Sequence, residues 1–335
     1  AVGCHQDTLL YQTLQSSPAI GIPMRFRHKL DSRNMREIRD AVQQYDIQLI
    51  NAQASRDRYT SIFSNLRYGM KLPIIHTRRQ NPRSDGGWLQ RMFYTKNTER
   101  IVVISDGLKR IFMEEKGYEA KDLKVIYNGM PSSFFDNYDP KKTEALKAEY
   151  GIDGSFRVIG CVARPKRQQY LVRALPMLPE DVKLFFAGIT DQDRETGAIA
   201  DELGLRDRII WAGSVPREEI VNYYPLFDVF ALPSHMDGFG LVLVEAMGMG
   251  VPIVATKFGG IVDVLQEQRN GLWYEKGNVE DFARQLNRVL GDQGLRDRLV
   301  SNGKRAAKED FSLEATIANY ENFFQEVIQQ YQDRK

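Results

Sequence analysis

The sequence predicts an α/β protein built from two Rossmann-like parallel-sheet domains. Three observations carry this. Short apolar runs alternate with amphipathic helical patterns along the whole chain. No pair of runs is joined by a hairpin turn signal, so the strands are expected to be parallel with helices on both faces. A turn cluster near the middle, Asp136-Asn137-Tyr138-Asp139-Pro140, divides the alternation into two sets.

Taken in order, Ala1–His5 reads as a strand and Thr8–Gln15 as a helix. No glycine-rich first turn joins them, so the expectation is a chain that lacks the first strand–helix unit of its N-terminal domain. Strands are predicted at Ile47–Asn51, Pro73–Thr77, Arg100–Ile104 and Leu123–Tyr127. Helices are predicted over Met35–Gln44, Tyr59–Arg67 and Gly107–Glu115. After the turn cluster comes a polar helix, then Gly151-Ile152-Asp153-Gly154. The second set of strands follows at Arg157–Val162, Val182–Ala187, Ile209–Trp211, Val229–Leu232 and Pro252–Ala255. The chain is expected to end in a long amphipathic helix, Leu313–Tyr331, with Ser312 as N-cap. The domain assignment is therefore 1–150, 151–311 and a terminal helix 312–335 that packs back on the first domain.

The 335 residues include 42% apolar and 27% charged side chains, a globular balance. No run approaches the roughly 18–20 apolar residues of a membrane span. Cys4 and Cys161 are distant and sit in strand-like runs, which reads as two buried free thiols in a reducing compartment. The four histidines are scattered, so no metal site is expected. Charge is uneven. Residues 1–150 hold 24 basic and 17 acidic side chains, net +7; residues 151–335 hold 22 and 27, net −5. The basic half suits an anionic partner or a charged membrane surface. The stretch Arg78–Arg100 adds aromatic residues to the charges (Arg78, Arg79, Arg83, Trp88, Arg91, Phe93, Tyr94 and Lys96). Such a mixture fits an acceptor cleft or a membrane surface, and equally a helix packed into its own domain. No nucleic-acid motif accompanies it.

The chemistry concentrates in Ala231–Gly260. A strand ends at Leu232-Pro233, a loop follows, and a helix starts near Phe239–Leu241. This is the carboxyl end of a parallel strand, where open α/β sheets bind ligands. Gly238 and Gly240 let backbone N–H groups approach an anion at the helix N-terminus. Glu245, a turn into the helix, places a carboxylate that can accept from a hydroxyl pair.

Asp237-Gly238-Phe239-Gly240-Leu241, then Glu245-Ala246-Met247-Gly248-Met249-Gly250-Val251-Pro252, resembles the C-terminal signature of retaining glycosyltransferases of sequence family four with the GT-B fold. In that family the segment reads Glu, seven residues, Glu. The resemblance implies two domains facing across a cleft, and transfer of a sugar from a nucleoside diphosphate donor with retained configuration. It implies no cofactor or metal beyond the nucleotide-sugar itself. By position, Glu245 would hold the donor ribose. Asp237 and the backbone of Gly238, Phe239, Gly240 and Leu241 would hold the sugar and diphosphate. Asp237 is one methylene shorter than the family's Glu, which leaves donor identity open.

Ile159–Arg167 resembles the family's Gly-Arg turn and following Lys, both directed at the diphosphate. Arg164 matches the Arg and Lys166 the Lys, with Arg167 competing for the second role. Gly213 and Ser214, in Trp211–Val215, resemble the loop near the nucleobase. The first half is similar to the acceptor domain of bacterial envelope and lipopolysaccharide glycosyltransferases, but Gln53 and Arg79 stand where that family carries His. Arg79 is then a candidate phosphate-stabilising catalytic residue. His76, three positions earlier, should face the other side of its strand. The implied acceptor is a bacterial surface glycan or a lipid-linked glycan, and the implied location is cytoplasmic, with peripheral contact at the inner face of the membrane through the basic first domain. Two other readings fit the same residues: an epimerase or hydrolase on this fold, and a donor-binding homologue without turnover.

Overall fold

The computed structural model describes residues 1–80, 87–235 and 237–334. The chain forms two compact units. The first comprises Ala1–Ile104, Leu108–Ile126 and Asn319–Lys335, and the second Ser105–Gly107 and Tyr127–Ala318.

In the first unit, β1 (Val2–Cys4) leads through the helix Leu9–Leu14 to β2 (Gly21–Pro23), and the two strands pair in parallel. A second sheet has the order β3 (Ile50–Ala52), β4 (Ile74–Arg78), β5 (Arg100–Val103), β6 (Leu123–Val125), all parallel. Each successive strand is laid beside the last by a helical crossover, as parallel pairing requires. On β4 the side chains alternate. Ile74 packs with Ile62 and Tyr94 on one face. Ile75 packs with Val102, Ile126, Phe323 and Val327 on the other, the last two from the terminal helix Leu313–Gln332. That helix is capped as the sequence predicts, with the Ser312 hydroxyl accepting from Ala315 N at 3.1 Å.

Strand β3 starts three residues later than expected. Asp46 takes φ +47° and Ile47 N donates to Val42 O at 3.1 Å. This is the Schellman closure of the helix Ser32–Gln44, so Ile47 belongs to the helix stop and not to the strand. The three-residue strand β2 had no counterpart among the sequence expectations, because a run that short has no resolvable period.

The second unit holds one six-stranded parallel sheet. Its strands are β7 (Arg157–Val162), β8 (Val182–Ala187), β9 (Ile209–Gly213), β10 (Val229–Leu232), β11 (Ile253–Thr256) and β12 (Leu272–Tyr274), in the spatial order 12-11-10-7-8-9. The chain steps outward in one direction from β7 and then restarts at β10 on the other side. The switch point therefore lies between β7 and β10, which pair through Val229–Ile159 and Phe230–Gly160. A ligand crevice opens beyond the carboxyl ends of the two strands at such a point. One large core of Ile, Leu, Val and Phe fills the space between this sheet and its helices. The polar helix Pro140–Glu149 belongs to this unit. Its N-cap Asp139 and its Thr143 hydroxyl bond Asn222 at 2.8 and 3.0 Å, so the division between units falls near residue 126 rather than 150.

Candidate functional site

The loops after β7 and β10 carry the candidate residues. After β7 the chain turns through Ala163–Arg167. Gln168, 1% exposed, holds this turn from inside. Its amide donates to the carbonyls of Ala163 and Arg164 at 3.1 and 2.9 Å, and its oxygen accepts from Lys166 N at 2.6 Å. The turn ends at Arg167 with φ +75°. The result separates three cations. Arg164 is exposed, Arg167 lies 3.8 Å from Glu195, and Lys166 is turned toward the loop after β10. There its ammonium forms an ion pair and hydrogen bond with Asp237 Oδ1. Lys166 is 35% exposed and Asp237 only 11%, and the second oxygen, Oδ2, is buried without a partner. Residues 71 positions apart are thus joined at the switch point, with Lys166 rather than Arg167 as the partner.

Gly238–Gly240 lead from Asp237 into the helix Leu241–Gly248. Gly240 is its N-cap at φ +87°, a conformation other residues reach only with strain. Phe239 is buried against Tyr127 and Phe311, so it contributes backbone and packing at the turn. The loop is clamped by the next one. Gly260 N donates to Asp237 O at 3.1 Å, and a Cβ at Gly260 would stand 2.0 Å from Gly238 O. Gly260 is therefore required by close backbone approach.

Glu245 sits differently from the resemblance. Its carboxylate is fully buried. Tyr224 Oη donates to its Oε2 at 2.7 Å, and Arg217, 61% exposed, approaches Oε1 at 2.6 Å without hydrogen-bond alignment. Both carboxylate oxygens thus face side chains of the same unit. Burial and the carboxylate together push the Tyr224 phenol well above its ordinary range. Sequence reasoning missed Tyr224, Arg217 and Gln168. The first two lie in a segment of single 3₁₀ turns that has no periodicity, and Gln168 reads as an ordinary polar residue before a helix.

Gly213 ends β9 with φ +65° and its carbonyl accepts from Gly188 N at 2.6 Å; Ser214 beside it is exposed. Arg79 belongs to the first unit. It follows β4, is exposed, and acts electrostatically on the Tyr320 hydroxyl. Arg83 falls outside the described residues. Among the described residues no three His, Cys, Asp or Glu side chains cluster as metal ligands. Cys4 and Cys161 are buried free thiols, and burial pushes Cys161 up to about 12.

His76 lies inside β4, three residues before Arg79. It is fully buried, edge-on to Tyr94 at 5.0 Å, and neither ring nitrogen has a partner. Burial lowers its pKa from 6.5 to about 3. The unfolded chain takes up a proton below about 6.5, and the folded chain does not until about 3. Stability from this group is complete above pH 6.5 and is lost as pH falls toward 3, by about 1.4 kcal/mol per pH unit. Urea unfolding at pH 7, 5.5 and 4.5 should show that slope, and His76→Leu should remove it. An unchanged slope in the variant would mean that His76 is not the group responsible.

Two known families cover most of the chain. Residues 142–306 match the family described as "Glycosyl transferases group 1", and residues 3–134 match "Glycosyltransferase Family 4". The chain belongs to glycosyltransferase family 4. An uncharacterized glycosyltransferase of Methanocaldococcus jannaschii is 30% identical over 219 residues, covering 64% of this chain and 56% of the relative. A D-inositol 3-phosphate glycosyltransferase of Xylanimonas cellulosilytica is 32% identical over 241 residues, covering 66% and 57%. The chain thus spans little more than half the length of these curated relatives. Among solved structures, Anabaena Alr3699/HepE in complex with UDP superposes with a TM-score of 0.82 at 21% identity, covering 97% of this chain and 91% of that one. The fold is therefore GT-B, as the sequence motifs imply. No helix among the described residues is long and apolar enough to cross a membrane.

Proposed function

We propose that the protein is a retaining glycosyltransferase that moves a sugar from a nucleoside diphosphate sugar to a bacterial surface glycan or lipid-linked acceptor. The observation that carries this reading is the Lys166–Asp237 pair at the switch point of a parallel sheet, beside a glycine-capped helix N-terminus. The site offers what departure of a nucleoside diphosphate needs. Lys166 and Arg164 stabilise the charge that develops on the leaving diphosphate, and the backbone from Gly238 to Leu241 adds N–H groups. Asp237 orients Lys166 and meets the sugar. Gly213 and Ser214 lie toward the nucleobase. Glu245 shapes the wall of the site through Tyr224 and Arg217. Arg79, exposed in the first unit, is a candidate to stabilise phosphate. HepE, with the same fold, has been solved with UDP, which supports a uridine nucleotide as the first donor to test. The basic first unit supports a peripheral place at the inner, anionic face of the cytoplasmic membrane.

The test is a thermal-shift screen with UDP, GDP, ADP and TDP and their sugars. UDP at about 100 times its Kd should stabilise the fold by about 2.7 kcal/mol. No shift with any nucleotide would reject the donor site. A donor-binding homologue without turnover is the second reading, favoured by Gln53 and Arg79 standing at the family's His positions. A clear shift with neither transfer nor sugar release would select it.

A further inference from the structure

The first unit holds a cluster of cations that the donor chemistry does not use. Arg78 closes β4 on the same face as His76, at the carboxyl end where parallel sheets receive ligands. Its guanidinium lies 5.5 Å from the ring centroid of Tyr94 and 5.9 Å from that of Phe112. Its Nε is buried and has no partner. Among the described residues, no carboxylate stands within ion-pair distance of it.

Arg58 lies on the first turn of the helix Ser55–Tyr68, directly after β3. It is only 6% exposed. Its Nε donates to the N-cap carbonyl of Ala54 at 2.8 Å, which aims the group back at the helix N-terminus. Its NH1 is buried without a partner.

The acid of this region is Asp57, and its oxygens are already engaged by the backbone N–H groups of Gln53 and Ala54 at 2.8–3.0 Å. Two further cations border the turn. Arg56 donates to Phe26 O at 3.2 Å, and the Lys29 ammonium sits 4.5 Å over the Tyr59 ring, which in turn lies 5.3 Å from Tyr94. Neither has a carboxylate within ion-pair distance among the described residues. Burying guanidinium groups with unmet donors is costly unless an anion completes them. A planar guanidinium matches the oxygens of a phosphate, and several cations around one spent carboxylate favour a dianion.

We propose that the turn at Arg58 and Arg78 seats a phosphate carried by the acceptor, as a phosphomonoester on a small molecule or on a lipid headgroup. This rests on the transferase reading above for the word acceptor, and on the first unit alone for the phosphate. Desolvation lowers the Arg78 pKa from its ordinary value, and it outweighs the opposing effects of the Tyr94 hydroxyl and the Asp57 carboxylate.

The experiment is calorimetric titration of the whole chain with sn-glycerol 3-phosphate and with glycerol, and sedimentation with phosphatidic acid or phosphatidylcholine vesicles. Glycerol 3-phosphate should bind and glycerol should not. Arg78→Gln should weaken that binding by at least about 10-fold, the scale of a charge-assisted pair. Arg78→Lys, which keeps the charge and loses the fork, should fall between, and it carries the test should Arg78→Gln fold poorly. Binding of phosphatidic acid vesicles alone, with the same dependence on Arg78, supports the lipid-borne source. UDP binding should be unchanged in both variants. If UDP fails to bind while the Arg78-dependent phosphate binding stands, the transferase reading falls and the phosphate site survives. Absence of phosphate binding in both arms, or binding indifferent to Arg78, overturns the proposal.

Discussion

Lys166→Ala should lower turnover about 10²-fold or more, the scale of removing one donor that stabilises charge on a leaving group. The same variant should also lose some stability, because Asp237 is nearly buried and its second oxygen has no other partner. Lys166 itself is one-third exposed, so that loss should be modest, about 1–2 kcal/mol, between the values of surface and buried pairs. The two effects can be separated. Asp237→Asn in the Lys166→Ala background removes the stranded charge and should restore the melting temperature. It should not restore turnover, because the cation facing the diphosphate is still absent. Nucleoside diphosphate release in steady state, measured beside thermal melting for the wild type and the two variants, tests both. Wild-type release by Lys166→Ala would sink the catalytic assignment. Recovery of release in the double variant would make Lys166 a structural partner of Asp237 and nothing more.

How far the sequence reaches depends on the range of the interaction. β7, β8 and β10 have the bounds read from the sequence, because each is a largely buried, mainly apolar run cut off by polar or turn residues. β3 was misplaced because its neighbour Ile47 is apolar for a different reason, the closure of a helix. At the site, the glycines and the helix start were legible, since both are local demands of backbone geometry. The partners were not. Lys166 and Asp237 were each read as facing the donor, and only the sheet order brings them to face one another. Arg58 belongs to no motif of the sequence, yet its guanidinium turns back onto Ala54 O and is buried. Glu245 shows the same limit most clearly. The seven-residue spacing that marks it says nothing of the two side chains that enclose it.

Glu245→Ala should be the most destabilising single change in the second unit, by about 3–5 kcal/mol. The carboxylate is fully buried, and its removal leaves the equally buried Tyr224 hydroxyl without an acceptor and the Arg217 guanidinium without its counter-charge. Tyr224→Phe removes one bond to a charged acceptor and should cost about 1–3 kcal/mol. Arg217→Ala should cost less than Glu245→Ala, since Arg217 is 61% exposed and water can take its place. The three share one network, so Glu245→Ala combined with Tyr224→Phe should cost less than the two added together. Equilibrium urea unfolding of the four variants checks the order. A further variant, Glu245→Gln, decides what the carboxylate is for. A residue held for the ribose would lose nucleotide affinity in Glu245→Gln with little change in stability, while one held for the wall would lose stability and keep most of its affinity. The enclosure by Tyr224 and Arg217 predicts the second pattern.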